Sequence, residues 1–201
     1  MLEVVEKREK PKKPEKSVVV GITGTPGVGK SSVARKLEEM GFIVYRVNDL
    51  AEKLECIIDY EDDCAVVDVE KLRRKFKELM LEMEGLVFVE GHLSHHLADI
   101  AVVLRCNPLV LKERLEERLA KGWSEEKVME NVEAELVDAI LIEAMDACRE
   151  VYEIDTTDRS VEDVVSAILD IVSGRGGKYR PGNVDWISEV GDRIDELMRK
   201  F

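Results

Sequence analysis

Aromatic side chains are scarce in this chain, at 5% of 201 residues, so any core must be aliphatic. With 45% hydrophobic residues there is enough apolar material for one self-supporting domain. No apolar run approaches the length of about 18 residues that a membrane helix needs, and the N-terminus lacks the apolar segment of a signal peptide. The expectation is a soluble, cytoplasmic protein. The four cysteines, Cys56, Cys64, Cys106 and Cys148, form no CxxC and no zinc spacing, which fits idle thiols in a reducing compartment. Positive charge is in deficit. Thirty basic residues stand against forty-three acidic ones, a net charge of −13. Nucleic-acid affinity begins with neutralising phosphates, so little direct nucleic-acid binding is expected, and any RNA contact is local or made through a partner.

What is present is an alternation of strand and helix patterns. Residues 1–16, "MLEVVEKREKPKKPEK", have no usable apolar face and read as a flexible charged arm. "SVVVGIT" from Ser17 is a β-branched run suited to a strand buried on both faces. A helix is expected from Lys30 to about Met40, then the strand "FIVYRV", then a short helix capped by Asn48 or Asp49. Residues 55–67 read as irregular and acidic, followed by a helix over about 69–83. "GLVFVEG" and "IAVVLRC" are further strands, and Pro108 suits the first turn of a helix running to about Ala120. Ser124 caps a helix continuing to about Cys148, "VYEID" is a fifth strand, and "SVEDVVSAILDIV" is a helix. This order implies an α/β fold with three layers and a five-stranded parallel sheet, over residues 17–173. A glycine-rich basic linker follows at 174–183. Trp186, Ile187, Val190, Ile194, Leu197 and Phe201 then recur at helical spacing over 184–201, marking a C-terminal amphipathic helix.

One motif carries most of the chemistry. Gly24, Gly29, Lys30 and Ser31 satisfy G-x-x-x-x-G-K-[ST], and the motif lies between a buried strand and a helix. Glycines let the backbone turn tightly so that successive N–H groups converge on a phosphate, to which the helix presents its positive end. Lys30 is placed for the β- and γ-phosphates, and the Ser31 hydroxyl for Mg²⁺. Neither the DxxG nor the NKxD of GTP-binding switches is present, which leaves small P-loop kinases and ATPases. Such kinases add an acceptor-binding insert and an arginine-bearing lid. Residues 47–67 and 118–128 are the candidates.

The pieces "TGTPGVGKSS", "VNDLAEKL", "DYEDDCAVVDVEKL", "VEGH", "VVLRCNP", "LKERLEERLAKGWSEEKVMENVEAE" and "EIDTTDRSVEDVV" occur in order over about residues 18–172. In them the chain resembles the adenylate kinase isoenzyme 6 type family, as an archaeal member. The resemblance implies transfer of the γ-phosphoryl group of ATP to AMP or another nucleoside monophosphate. It also implies ATP hydrolysis with Mg²⁺, and work in late maturation of the small ribosomal subunit, including rRNA processing. The implied partners are pre-small-subunit particles and a small-subunit ribosomal protein (universal number eleven), whose basic surface suits an acidic factor.

By the same resemblance, Gly27, Gly29, Lys30, Ser31 and Ser32 form the triphosphate cradle, with Arg118 and Lys121 in the lid. Family members usually carry arginine where this chain has Lys121, before Gly122 and Trp123, and Arg118 is placed to supply the guanidinium. Arg105 and Arg114 are candidates to reach the transferred phosphate. Asp158 and Arg159 follow the fifth strand, where such kinases hold adenine largely by backbone. Asn48, Asp49 and Lys53 occupy the acceptor insert, which lacks the arginine that the family carries near Glu52. Glu90, where the family usually has aspartate, is placed to hold Mg²⁺ through water, and His92 to orient an attacking water. His95 and His96 read as loop residues, not metal ligands. Two alternatives stay open: a factor whose ATPase activity remodels a ribosomal protein, and a kinase of dephospho-coenzyme A or another small metabolite.

Overall fold

The computed structural model describes residues 17–61 and 64–198. The charged arm expected over 1–16, and Phe201, lie outside the described residues. Strand β1 (Val18–Thr23) is the centre of the molecule. It pairs in parallel with β5 (Leu86–Glu90) on one side and β6 (Ile100–Arg105) on the other, and β2 (Ile43–Arg46) and β7 (Glu150–Asp155) complete the order β2–β5–β1–β6–β7. The five-stranded parallel sheet read from the sequence is therefore present.

Side chains alternate across this sheet and divide the core by parity. Val20, Ile22, Phe88, Val102, Leu104, Tyr152 and Ile154 face one way. They pack against α1 (Lys30–Glu39), α4 (Pro108–Glu116), α5 (Glu125–Leu136) and α7 (Val161–Asp170). Val19, Val87 and Val89 face the other way onto α2 (Val47–Lys53) and α3 (Val69–Met80), and Ala101, Val103 and Val151 onto α6 (Ala139–Ala147). With so few aromatics, Phe88 does much of the central filling. It is fully buried and meets Phe42 edge to face at 5.4 Å, a contact whose truncation to alanine costs about 3–5 kcal/mol.

Four local expectations are corrected. The helix α2 starts at Val47, so neither Asn48 nor Asp49 caps it. The acidic stretch 55–67 is not irregular: β3 (Ile57–Glu61) and β4 (Cys64–Val67) pair as an antiparallel hairpin. Its backbone pairing tolerates outward Ile58 and Tyr60, so no apolar face announces it in the sequence. The helix expected from Ser124 to Cys148 is two helices, broken where Asp138 adopts a left-handed conformation (φ 59°). Neither Val137 nor Asp138 is a strong breaker, and the carboxylate of Asp138 is held instead by the buried Arg105. Tertiary electrostatics overrides propensity here.

The fourth correction concerns the C-terminal segment. Residues 174–183 are not a free linker, because Gly176 and Tyr179 are buried. The expected helix over 184–201 is only α8 (Trp186–Val190), followed by a 3₁₀ turn over Gly191–Glu196. Gly191, at φ 52°, interrupts the pattern and leaves Ile187 outward, while Trp186, Val190 and Leu197 enter the main core. Cys56, Cys106 and Cys148 are buried free thiols, and burial pushes those of Cys106 and Cys148 up to about 11. Among the described residues, no helix is long and apolar enough to cross a membrane.

Candidate functional site

The chain reverses its winding direction at β1, and ligands of open parallel sheets sit outside the strand ends at such a point. A cleft of about 530 Å³ lies there, lined by the loop after β1, the start of α2 and the end of β5. The loop geometry demands its glycines. Gly24 sits at φ 129° with the Leu104 carbonyl where a Cβ would go, and Gly29 sits at φ 102° as the N-cap of α1. Gly27, Lys30, Ser31 and Ser32 line the cleft with it.

Lys30 curls back over the loop, donating to the carbonyls of Gly24 (2.7 Å) and Thr25 (2.9 Å). Burial drives its pKa down to about 8, with Arg118 acting in the same direction and Glu90 and Glu135 opposing. The Ser31 hydroxyl donates to Glu90 at 3.1 Å, which brings two hard oxygen donors together at the loop's edge. His92 is exposed at the cleft rim, and its carbonyl accepts from Thr23 at the end of β1. Its imidazole pKa is lowered by desolvation first and then by the charges of Lys30 and His96. Arg118, in the turn after α4, reaches the cleft while its guanidinium stacks on Trp123 at 4.8 Å.

Ten of the residues singled out in the sequence thus share one cleft: Gly27, Gly29, Lys30, Ser31, Ser32, Asn48, Asp49, Glu90, His92 and Arg118. Lys53, in the last turn of α2, and Lys121, in the 3₁₀ turn after α4, are exposed and do not line it. Arg114 donates to the Thr157 carbonyl at 2.9 Å. Asp158 is exposed, and Arg159 lines a separate 320 Å³ cavity with the C-terminal segment. His95 is fully buried in the 3₁₀ turn Ser94–His96, beside Thr23 (Nδ1 to Oγ1, 3.2 Å), with its pKa pushed down to about 4 by burial. Among the described residues, no cluster of three or more His, Cys, Asp or Glu side chains could hold a metal.

Arg105 requires the largest correction. It does not point at a phosphate, being only 1% exposed beneath the loop. Its guanidinium bonds Glu135 (2.7 Å), Glu153 (3.3 Å) and Asp138. The Glu135 and Asp138 carboxylates outweigh the effect of burial, so its pKa is raised. Arg46 is the residue the sequence reading missed. It stands at the end of β2, lines the cleft, and is gripped bidentately by Glu38 at 2.8 and 2.9 Å. Its only sequence signal was a basic residue at the C-terminal end of a predicted strand, just before Asn48.

Comparison with known proteins places the chain in a family. The AAA domain family matches residues 20–138. A protein of Archaeoglobus fulgidus named "Putative adenylate kinase" is 52% identical over 187 residues, spanning 91% of this chain and 99% of that protein. Proteins of the same name from Thermococcus gammatolerans and Methanosarcina acetivorans are 44% and 43% identical, spanning 90% and 86% of this chain and 99% and 100% of their own lengths. Among solved structures, shikimate kinase from Acinetobacter baumannii aligns over 80% of this chain and 95% of its own, with a TM-score of 0.54 at 16% identity. TT1252 from Thermus thermophilus aligns over 80% and 98%, with a TM-score of 0.51 at 21% identity. These two establish the fold alone. On the identity and coverage of its archaeal relatives, the chain belongs to the archaeal branch of the adenylate kinase-type P-loop family.

Proposed function

We propose that this protein transfers the γ-phosphoryl group of ATP to a nucleoside monophosphate, AMP in the first instance. The observation that supports the reading most is the composition of a single cleft. One wall is the phosphate loop with Lys30 and Ser31, and the other offers Arg46, Asn48 and Asp49, with Glu90 and His92 between them. Phosphoryl transfer asks mainly that donor and acceptor be held in line while charge is neutralised. Lys30 would exchange two carbonyl partners for phosphate oxygens, a stronger charge-assisted pairing. Arg118 would offer its guanidinium to the transferred group from the lid, and Arg46 could share itself between Glu38 and the acceptor's phosphate. The Ser31 hydroxyl and Glu90 carboxylate are the donor type that Mg²⁺ prefers, and the ion arriving with ATP would neutralise the β- and γ-phosphoryl oxygens.

The test is ADP formation from ATP and AMP. Wild type should form ADP in an AMP-dependent way, and Lys30→Ala should lose at least about 100-fold, as expected when a charged group that stabilises the transferred phosphoryl is removed. Absence of AMP-dependent ADP formation in the wild type refutes the reading.

A second activity, ATP hydrolysis, is favoured by one observation. His92 lines the cleft, and desolvation of its imidazole lowers the pKa and favours the uncharged form, which is able to hold a water. The further role, as a cytoplasmic factor in late small-subunit maturation, rests on the family resemblance and on a net charge of −13 that suits a basic ribosomal protein. Pull-down from native extract should recover that ribosomal protein. Recovery of no small-subunit protein refutes this role.

A further inference from the structure

Thr25 occupies a position of the phosphate-loop motif where any residue is allowed, yet its side chain is tied down. It is 1% exposed and donates to Glu135 Oε2 at 2.6 Å, while its own carbonyl accepts from Lys30. The other oxygen of Glu135 accepts from Arg105 Nε at 2.7 Å, Trp186 Nε1 at 2.9 Å and the Cys106 amide at 3.2 Å. One carboxylate therefore joins the phosphate loop, the end of β6 and the C-terminal segment. A carboxylate accepts on both oxygens; an amide could keep its oxygen on Arg105 and Trp186, which only donate, but would then meet Thr25 as a donor and reverse that bond. The seat of Trp186 is itself fixed. Glu153 Oε1 accepts from the backbone amides of Gly182 (2.8 Å), Asn183 (2.7 Å) and Val184 (3.2 Å), and its other oxygen accepts from Arg105.

We propose that Glu135 is a positioning residue for the phosphate loop, and that Trp186 of the C-terminal segment acts on ATP binding through it. The inference rests on the reading that the loop holds ATP. The path is short: Trp186 Nε1, Glu135, Thr25, then the carbonyl that Lys30 holds. Every member of it except Lys30 is almost fully buried, so a displacement at one end has no solvent to dissipate into. The charge of Glu135 also acts on Lys30 directly, since it is among the groups that favour the ammonium. If the loop and the segment are coupled, the coupling is reciprocal: what Trp186 does for ATP, ATP does for Trp186.

Reciprocity supplies the test. The chain has two tryptophans, so Trp123→Phe leaves Trp186 as the sole reporter. In that protein, Mg-ATP should change Trp186 emission with the same midpoint as calorimetric binding. Thr25→Val, which keeps the β-branched shape and removes the hydroxyl, should abolish the emission response and raise the ATP Kd about tenfold, while Thr25→Ser restores both. Trp186→Phe, which keeps a ring and removes the donor, should raise the ATP Kd in the same direction. A purely structural network would lower the melting temperature of these variants and leave the Kd and the emission response in place, and that result overturns the proposal. Wild-type protein that fails to bind ATP at all overturns this proposal and the functional reading together.

Discussion

Replacing Arg105 with methionine is a severe test of the buried charge cluster. The guanidinium is 1% exposed and is the cation shared by Glu135, Glu153 and Asp138, of which the first two are almost fully buried. Methionine keeps the apolar stem and deletes the charge, so the effect reads electrostatics rather than a cavity. Removing one member of a buried ion pair costs about 3–5 kcal/mol, because the partner charges stay buried without compensation. That is a large share of the roughly 5–15 kcal/mol that holds a domain together. For a chain of this size each kcal/mol moves the melting temperature by about 2–4 °C, so the expected drop is roughly 6–20 °C. Denaturant unfolding and calorimetry at neutral pH measure it. Adding Glu153→Gln to Arg105→Met should recover part of the loss, since one of the two buried charges is then gone. A loss below about 1 kcal/mol for Arg105→Met, the range of an exposed pair, refutes the account.

Two further predictions concern the cleft. The pKa of Lys30 is lowered to about 8 in the fold, so below that pH the buried ammonium destabilises the protein, and this burden is relieved as pH rises from about 8 toward the ordinary lysine value near 10.5. Phosphate at the ammonium should raise that pKa again, so ATP binding at pH 8 should take up protons; calorimetric heats that do not depend on the buffer's ionisation enthalpy refute this. His92→Ala should depress ATP hydrolysis while sparing transfer to AMP, because hydrolysis needs its water held and transfer needs mostly positioning. Equal loss of both rates excludes that division of labour.

The phosphate loop was legible because its chemistry is local. Gly24, Gly29, Lys30 and Ser31 specify backbone geometry and charge within eight residues, and the β-branched run before them supplies the strand. Glu90 and Asn48 could be placed because one ends a recognisable strand and the other lies just beyond one. The buried cluster was not legible for the opposite reason. Arg105 meets Glu135, Asp138 and Glu153 across 30 to 48 positions, and no periodicity records a pairing at that distance. The same absence hid the break at Asp138, which has no local cause. Arg105 was misassigned because an arginine at a strand end looks the same whether it faces a ligand or three carboxylates. Reading apolar spacing through Gly191 overstated the last helix, since spacing says nothing about a glycine that takes φ of 52°.

The capture of Gly182, Asn183 and Val184 by Glu153 has a consequence for hydrogen exchange. Gly182 and Asn183 are solvent-exposed residues in a stretch with no ladder partner, so by exposure alone their amides should exchange quickly. Held by a carboxylate whose other oxygen serves Arg105, they are tied to the charge cluster and should exchange far more slowly than their exposure implies. An exchange map that equates protection with regular structure would therefore draw a strand over residues 182–184, where there is an irregular loop closed around a single acid.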